Sequence, residues 1–169
     1  MHKLLNLARR YYEVVLLGAN SLRSPLLLFL RVYFFWQLFL TGIGKLSNIG
    51  KISEYFTSLG IPWPTLNAYL AGSAETFCGL FLIFGIASRL AAIPVLFTMI
   101  VAYLIADQEA VTSMLSNSDK FVKADPFPFL LIALIVFVFG PGQLSLDALF
   151  ERKLWHRAGT KQIASSLIK

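Results

Sequence analysis

Charge is what this chain has least of. Asp, Glu, Lys and Arg make up only 14% of its 169 residues, against about 25% in soluble domains. That scarcity excludes a disordered chain and argues against a soluble enzyme. Cysteine is rarer still. Cys78 stands alone, which excludes an internal disulfide, a zinc ribbon and a dithiol relay within the chain, and it reads as a packing residue. The two histidines, His2 and His156, lie outside the apolar stretches without the spacing of metal or haem ligands, so both read as surface residues. There is no Ser–His–Asp set, phosphate-binding loop or dinucleotide fingerprint. Neither a metal site nor a covalently bound cofactor is expected.

Apolar residues fill the space that charge leaves, at 57% of the chain and a mean hydropathy of +0.69. A helix needs about 20 mostly apolar residues to cross the hydrocarbon of a bilayer. Four stretches qualify or nearly do: Leu26 to Gly44, Leu66 to Ala87, Leu90 to Ala106, and a fourth from near Phe127 to Gly140. The last is short unless it continues through Gly140-Pro141-Gly142. In lipid every backbone group must be satisfied within the segment, so these read as helices. The fold expected is an all-α integral membrane protein, a bundle of four transmembrane helices. Residues 3–20 carry polar and apolar sides in the manner of an interfacial amphipathic helix, with no signal-peptide cleavage pattern, and Ser24-Pro25 predicts a fresh helix start. The organisation expected is an interfacial helix over 1–23, a membrane domain over 24–149 and a basic tail over 150–169. Between the first two spans, Ile52, Tyr55, Phe56 and Leu59 predict a short interfacial helix. Trp36, Trp63 and Tyr55 read as interface anchors, and Phe77, Phe81 and Phe84 as packing or lipid-facing residues. Residues 107–125 read as a long polar loop.

The net charge of +6 belongs to topology rather than to nucleic acid. With both termini cytoplasmic, ten Lys and Arg residues fall on the cytoplasmic side and four outside, with Arg31 inside a span. That bias predicts a multi-pass inner-membrane protein with both ends inside, whose positive charge meets anionic lipid head groups.

Polar residues inside spans are costly and therefore informative. At about 1.5 Å per residue, Glu75, Gln37 and Tyr103 lie at similar depth near the midplane, with Arg31 lower but long enough to climb. Ala68, Ala71, Gly72, Glu75 and Gly79 share a face that another helix can approach closely. Tyr33, Gln37, Thr41 and Lys45 form a seam on the first span, and Met99, Tyr103 and Asp107 another on the third. Lys45 and Asp107 both end near the outer interface, where they are placed to pair. Two readings follow. In one, a buried Arg31–Glu75 pair with Gln37 and Tyr103 as hydrogen-bond partners fixes the bundle. In the other, Arg31, Gln37, Lys45, Glu75, Tyr103 and Asp107 line an outward-opening pocket for a small amphipathic molecule, and Glu75 carries a proton. Transport has less support, for want of broken helix pairs or an inverted repeat.

Several blocks in order resemble the DoxX family. They are Ser24-Pro25-Leu26 leading to Arg31, then Gly42 with Lys45-Leu46, Leu59-Gly60-Ile61-Pro62, and Leu70 through Glu75. Gly85 through Ala92 and Phe139 through Ala148 complete the set. The resemblance covers roughly residues 24 to 149. It implies a four-helix bacterial inner-membrane protein, with Arg31, Lys45, Glu75 and Arg89 at the family's recurring charged positions and Gly140, Pro141 and Gly142 as a structural turn. One related branch supplies a membrane subunit of thiosulfate:quinone oxidoreductase. By that analogy the chain is a membrane subunit of a quinone-linked redox system, with redox centres on a partner subunit and no catalysis alone. The alternative is a non-catalytic accessory subunit of a larger membrane complex.

Overall fold

A computed structural model describes residues 2–153, with side chains from 9 onward. His156 and the tail beyond 153 lie outside the described residues, as do the side chains of the first eight. The described chain is helical throughout: α1 (His2–Ser47), α2 (Ile49–Ser58), α3 (Pro64–Ser73), a π turn (Ala74–Cys78), α4 (Gly79–Phe84), α5 (Ser88–Ile105), α6 (Gln108–Thr112), α7 (Ser118–Lys123) and α8 (Pro126–Phe139). A further helical segment begins at residue 146.

Three helical stretches are long and apolar enough to cross a membrane: Arg9–Ser47, Pro64–Phe84 and Ser88–Ile105. The fourth, α8, has 14 residues, about 21 Å at the helical rise, and falls short of the roughly 30 Å of hydrocarbon. Its limits are chemical. Pro126 sits in its first turn, and Gly140 ends it at φ +77°, a backbone angle that favours glycine. The helix ends there, as the apolar stretch does, and does not continue through Gly140-Pro141-Gly142.

The predicted break at Ser24-Pro25 is also absent, because α1 runs continuously through Pro25. Proline removes one backbone donor, which leaves the Ser21 carbonyl without its helical partner. Membrane helices tolerate this where side chains, water or neighbours supply the missing bond. The interfacial segment and the first span are therefore one helix. At 46 residues it measures about 69 Å, over twice the hydrocarbon thickness, and residues 9–23 are exposed along their whole length.

α1 packs against the Pro64–Phe84 span and α8, while α5 packs chiefly on α8 and also on the π turn and α4. Phe35 and Leu38 of α1 meet Leu82, Ala92, Val95, Met99, Ala133 and Val136 in the core. Large apolar residues cover the outside: Phe29, Trp36, Leu40, Phe77, Leu90, Phe97, Leu104 and Phe137 are all exposed. A soluble monomer does not expose apolar surface on that scale. A bilayer covers it without cost. The short helix α2 lies on α3, where the sequence places an interfacial helix.

Candidate functional site

A close approach between two helices places the candidate site. A Cβ on Gly42 would stand 2.5 Å from Thr76 Oγ1 and 2.6 Å from Thr76 N, and a Cβ on Gly72 would press into Leu46. Gly79 likewise meets the α1 backbone at Phe39 and Phe35. Only glycine permits α1 and the second span to touch along this line. Within the contact the second span widens into the π turn, and the Thr76 hydroxyl donates to the Gly72 carbonyl at 2.7 Å. That bond gives the carbonyl a partner outside the regular ladder. Single π turns inside α-helices occur often at functional sites.

Glu75 belongs to that turn and is 2% exposed. Its partner is Lys45, whose Nζ donates to Glu75 Oε1 at 2.5 Å. The lysine side chain is 26% exposed and the glutamate 3%, so the pair reaches from the interior to the surface of the bundle. Glu75 Oε2 is buried with no hydrogen-bond partner, the one such side-chain atom among the described residues. A carboxylate oxygen left bare costs free energy in a low-dielectric interior. The site thus holds one charge in place and leaves one acceptor available.

Arg31, 1% exposed, does not join Glu75. Nε donates to the Leu82 carbonyl at 2.9 Å, Nη2 to Ile83 at 3.0 Å, and Nη1 to Pro141. The guanidinium therefore closes the end of α4, where the last helical carbonyls lack partners, and ties in the Gly140-Pro141-Gly142 turn. Gly85 makes room for it: a Cβ there would come within 2.9 Å of Nη2.

The other predicted members also separate. Gln37 is exposed on the outside of α1, as are Tyr33 and Thr41, and the Thr41 hydroxyl donates to the Gln37 carbonyl at 2.6 Å. The polar seam thus turns away from the bundle until Lys45. Tyr103 is buried, but its hydroxyl donates to Phe121 O at 2.7 Å and its ring stacks on Phe121 at 4.6 Å. It fastens the 107–125 segment to α5. Asp107 does not pair with Lys45. It lines a separate cleft of about 500 Å³ together with Asn117, Asp119, Lys120 and Lys123. Across that cleft Glu109 pairs with Lys120, whose hydrogen bond and charge hold the carboxyl below its ordinary range.

A second cleft, about 750 Å³, opens at the Arg31 end between α1, the start of α5 and the turn after α8, and Arg89 and Gly140 line it. Asp147 organises its floor. Oδ1 accepts from Ala87 N at 2.7 Å, and Oδ2 accepts from Ser88 N and Ser88 Oγ at 2.9 Å. This cap on α5 comes from about sixty residues away, where sequence spacing gives no sign of it. Neither cleft is lined by Glu75 or Gln37.

The DoxX family model matches residues 26–108, just under half of the chain. Over that stretch the chain is similar to the DoxX family. The match includes Arg31, Lys45, Glu75 and Arg89 and stops before α8. No curated protein matches the chain at a significant level, and no solved structure does.

Proposed function

We propose that this DoxX-domain protein is the membrane subunit of a quinone-linked redox system, set in a bacterial inner membrane with both termini cytoplasmic. The observation that carries the reading is the bare, buried Oε2 of Glu75 beside a fixed lysine. The residues fit such a group chemically. Glu75 Oε2 accepts a hydrogen bond from the hydroxyl of a reduced quinone, and Lys45, partly exposed, holds the carboxylate and offers ammonium protons to a carbonyl. A bound quinone supplies two-electron, two-proton chemistry, and the electron-transfer centres belong to a partner. This chain's part is to orient the head group in a site dry enough to strengthen each polar contact.

A second reading, a non-catalytic accessory subunit, is favoured by a different residue. Gln37 presents an amide on the outside of α1, at a depth where lipid offers no hydrogen-bond partner. A neighbouring membrane subunit satisfies it. Under this reading the Lys45–Glu75 pair only holds the helices.

Mild-detergent purification followed by mass spectrometry of bound lipids and proteins separates the two, applied to wild type and Glu75→Gln. Quinone retained by wild type and reduced at least about ten-fold in a folded Glu75→Gln protein supports the redox reading; a difference that size is about 1.4 kcal/mol of binding. The same partner in both proteins with quinone in neither leaves the accessory role.

A further inference from the structure

The cleft at the Arg31 end has two guanidiniums without a carboxylate partner. Arg23 of α1 and Arg89 of α5 both line it, and neither belongs to an ion pair among the described residues. Of the two carboxylates at the cleft, only Asp147 has partners among the described residues. Asp147 spends both oxygens on the first turn of α5, and Glu151 sits exposed on the segment beyond. The Arg89 guanidinium lies over Gly140, where a Cβ would stand 3.7 Å from Nη2 and 3.9 Å from Nε. That is ordinary van der Waals range, so the guanidinium packs directly on the turn.

The cleft is also amphipathic. Leu90, 70% exposed, and Phe139, 60% exposed, give it an apolar wall. They continue the lipid-covered surfaces of α5 and α8. The cleft sits where α5, long and apolar enough to cross a membrane, begins and where α8 ends. Its volume, about 750 Å³, is that of an ordinary small-molecule site.

From this arrangement we infer that the cleft binds the phosphate of an anionic phospholipid, with Arg23 and Arg89 on the phosphate oxygens and the acyl chains along Leu90 and Phe139. Guanidinium forks match phosphate in a way that a lysine does not. Free phosphate shares the head-group chemistry but makes no use of the apolar wall. The inference is independent of any quinone at Glu75, which lies in the other half of the bundle.

The test is native mass spectrometry of the full chain, reconstituted with phosphatidylglycerol and phosphatidylcholine in equal amounts. The expected result is retention of phosphatidylglycerol over phosphatidylcholine. Arg23→Gln and Arg89→Gln each reduce that retention about five-fold, the weight of one basic residue at an anionic surface. Arg152→Gln, an exposed basic change outside the cleft, leaves it unchanged. Equal retention of the two lipids, or an equal loss in Arg152→Gln, overturns the site. Displacement by inorganic phosphate overturns the lipid as its source. Should Arg89→Gln fail a circular-dichroism check of folding, the exposed Arg23→Gln carries the test alone.

Discussion

Arg31 shows how a buried charge can be structural without a counter-charge in contact. Each of its side-chain nitrogens meets a backbone carbonyl, two at the end of α4 and one at Pro141. Replacing it strips three acceptors of their donor, and each buried orphan costs about 1–3 kcal/mol. Arg31→Leu is expected to lower the thermal unfolding midpoint strongly. Arg31→Lys should recover little of it, because one ammonium cannot span three carbonyls set for a planar fork. Full recovery by lysine, measured in the same detergent, would mean that charge alone is what the site needs. The sequence made Arg31 conspicuous as a charge in a span, but depth and reach pointed equally well to Glu75. The acceptors that claimed it are backbone atoms at a helix end, and no side-chain pattern announces them. Lys45 was legible as the top of a polar seam, yet its partner depended on how closely α1 and the second span approach.

At the scale of elements, that approach is set by glycine. A methyl group added at Gly42 would lie 2.6 Å from the Thr76 backbone nitrogen, whereas one added at Gly44, half a turn away, would meet nothing within 4 Å. Gly42→Ala is therefore expected to destabilise the protein by about 1–3 kcal/mol through overpacking and to disturb the Lys45–Glu75 pair. Gly44→Ala should be neutral or should gain up to about 1 kcal/mol of helix propensity. Equal melting curves for the two variants would refute the close contact. The long elements were readable because hydrophobic length alone defines a span, and the apolar stretches of the second and third spans end within a few residues of the helices found. The continuity of α1 was not readable, since proline inside a membrane helix and proline at its start look alike in sequence. Nor were α6 and α7 evident within the polar stretch 107–125. Tyr103, assigned by depth to the interior, is buried, but its partner there is Phe121, reached across a loop.

For the molecule as a whole, α1, the Pro64–Phe84 span, α5 and α8 share a small apolar core, and two polar stations are set into it at different heights. The Arg31 station ties α1, α4 and the turn after α8 into one end of the bundle. The Lys45–Glu75 station joins α1 to the π turn and leaves an oxygen unmet. The outward faces of the spans are largely apolar, as a chain dissolved in lipid requires. The likeness to the DoxX family spans residues 26–108, which contain both stations except Pro141, and fold alone does not fix what such a bundle does. On the proposed reading, Glu75 Oε2 faces a quinone head group and is not a mere packing defect. Cryo-electron microscopy of the full chain in lipid nanodiscs supplied with quinone tests it most directly. Head-group density within about 3 Å of Glu75 Oε2, hydrogen-bond range, is the predicted result. Closely packed side chains around Oε2, with quinone density absent there, would contradict it.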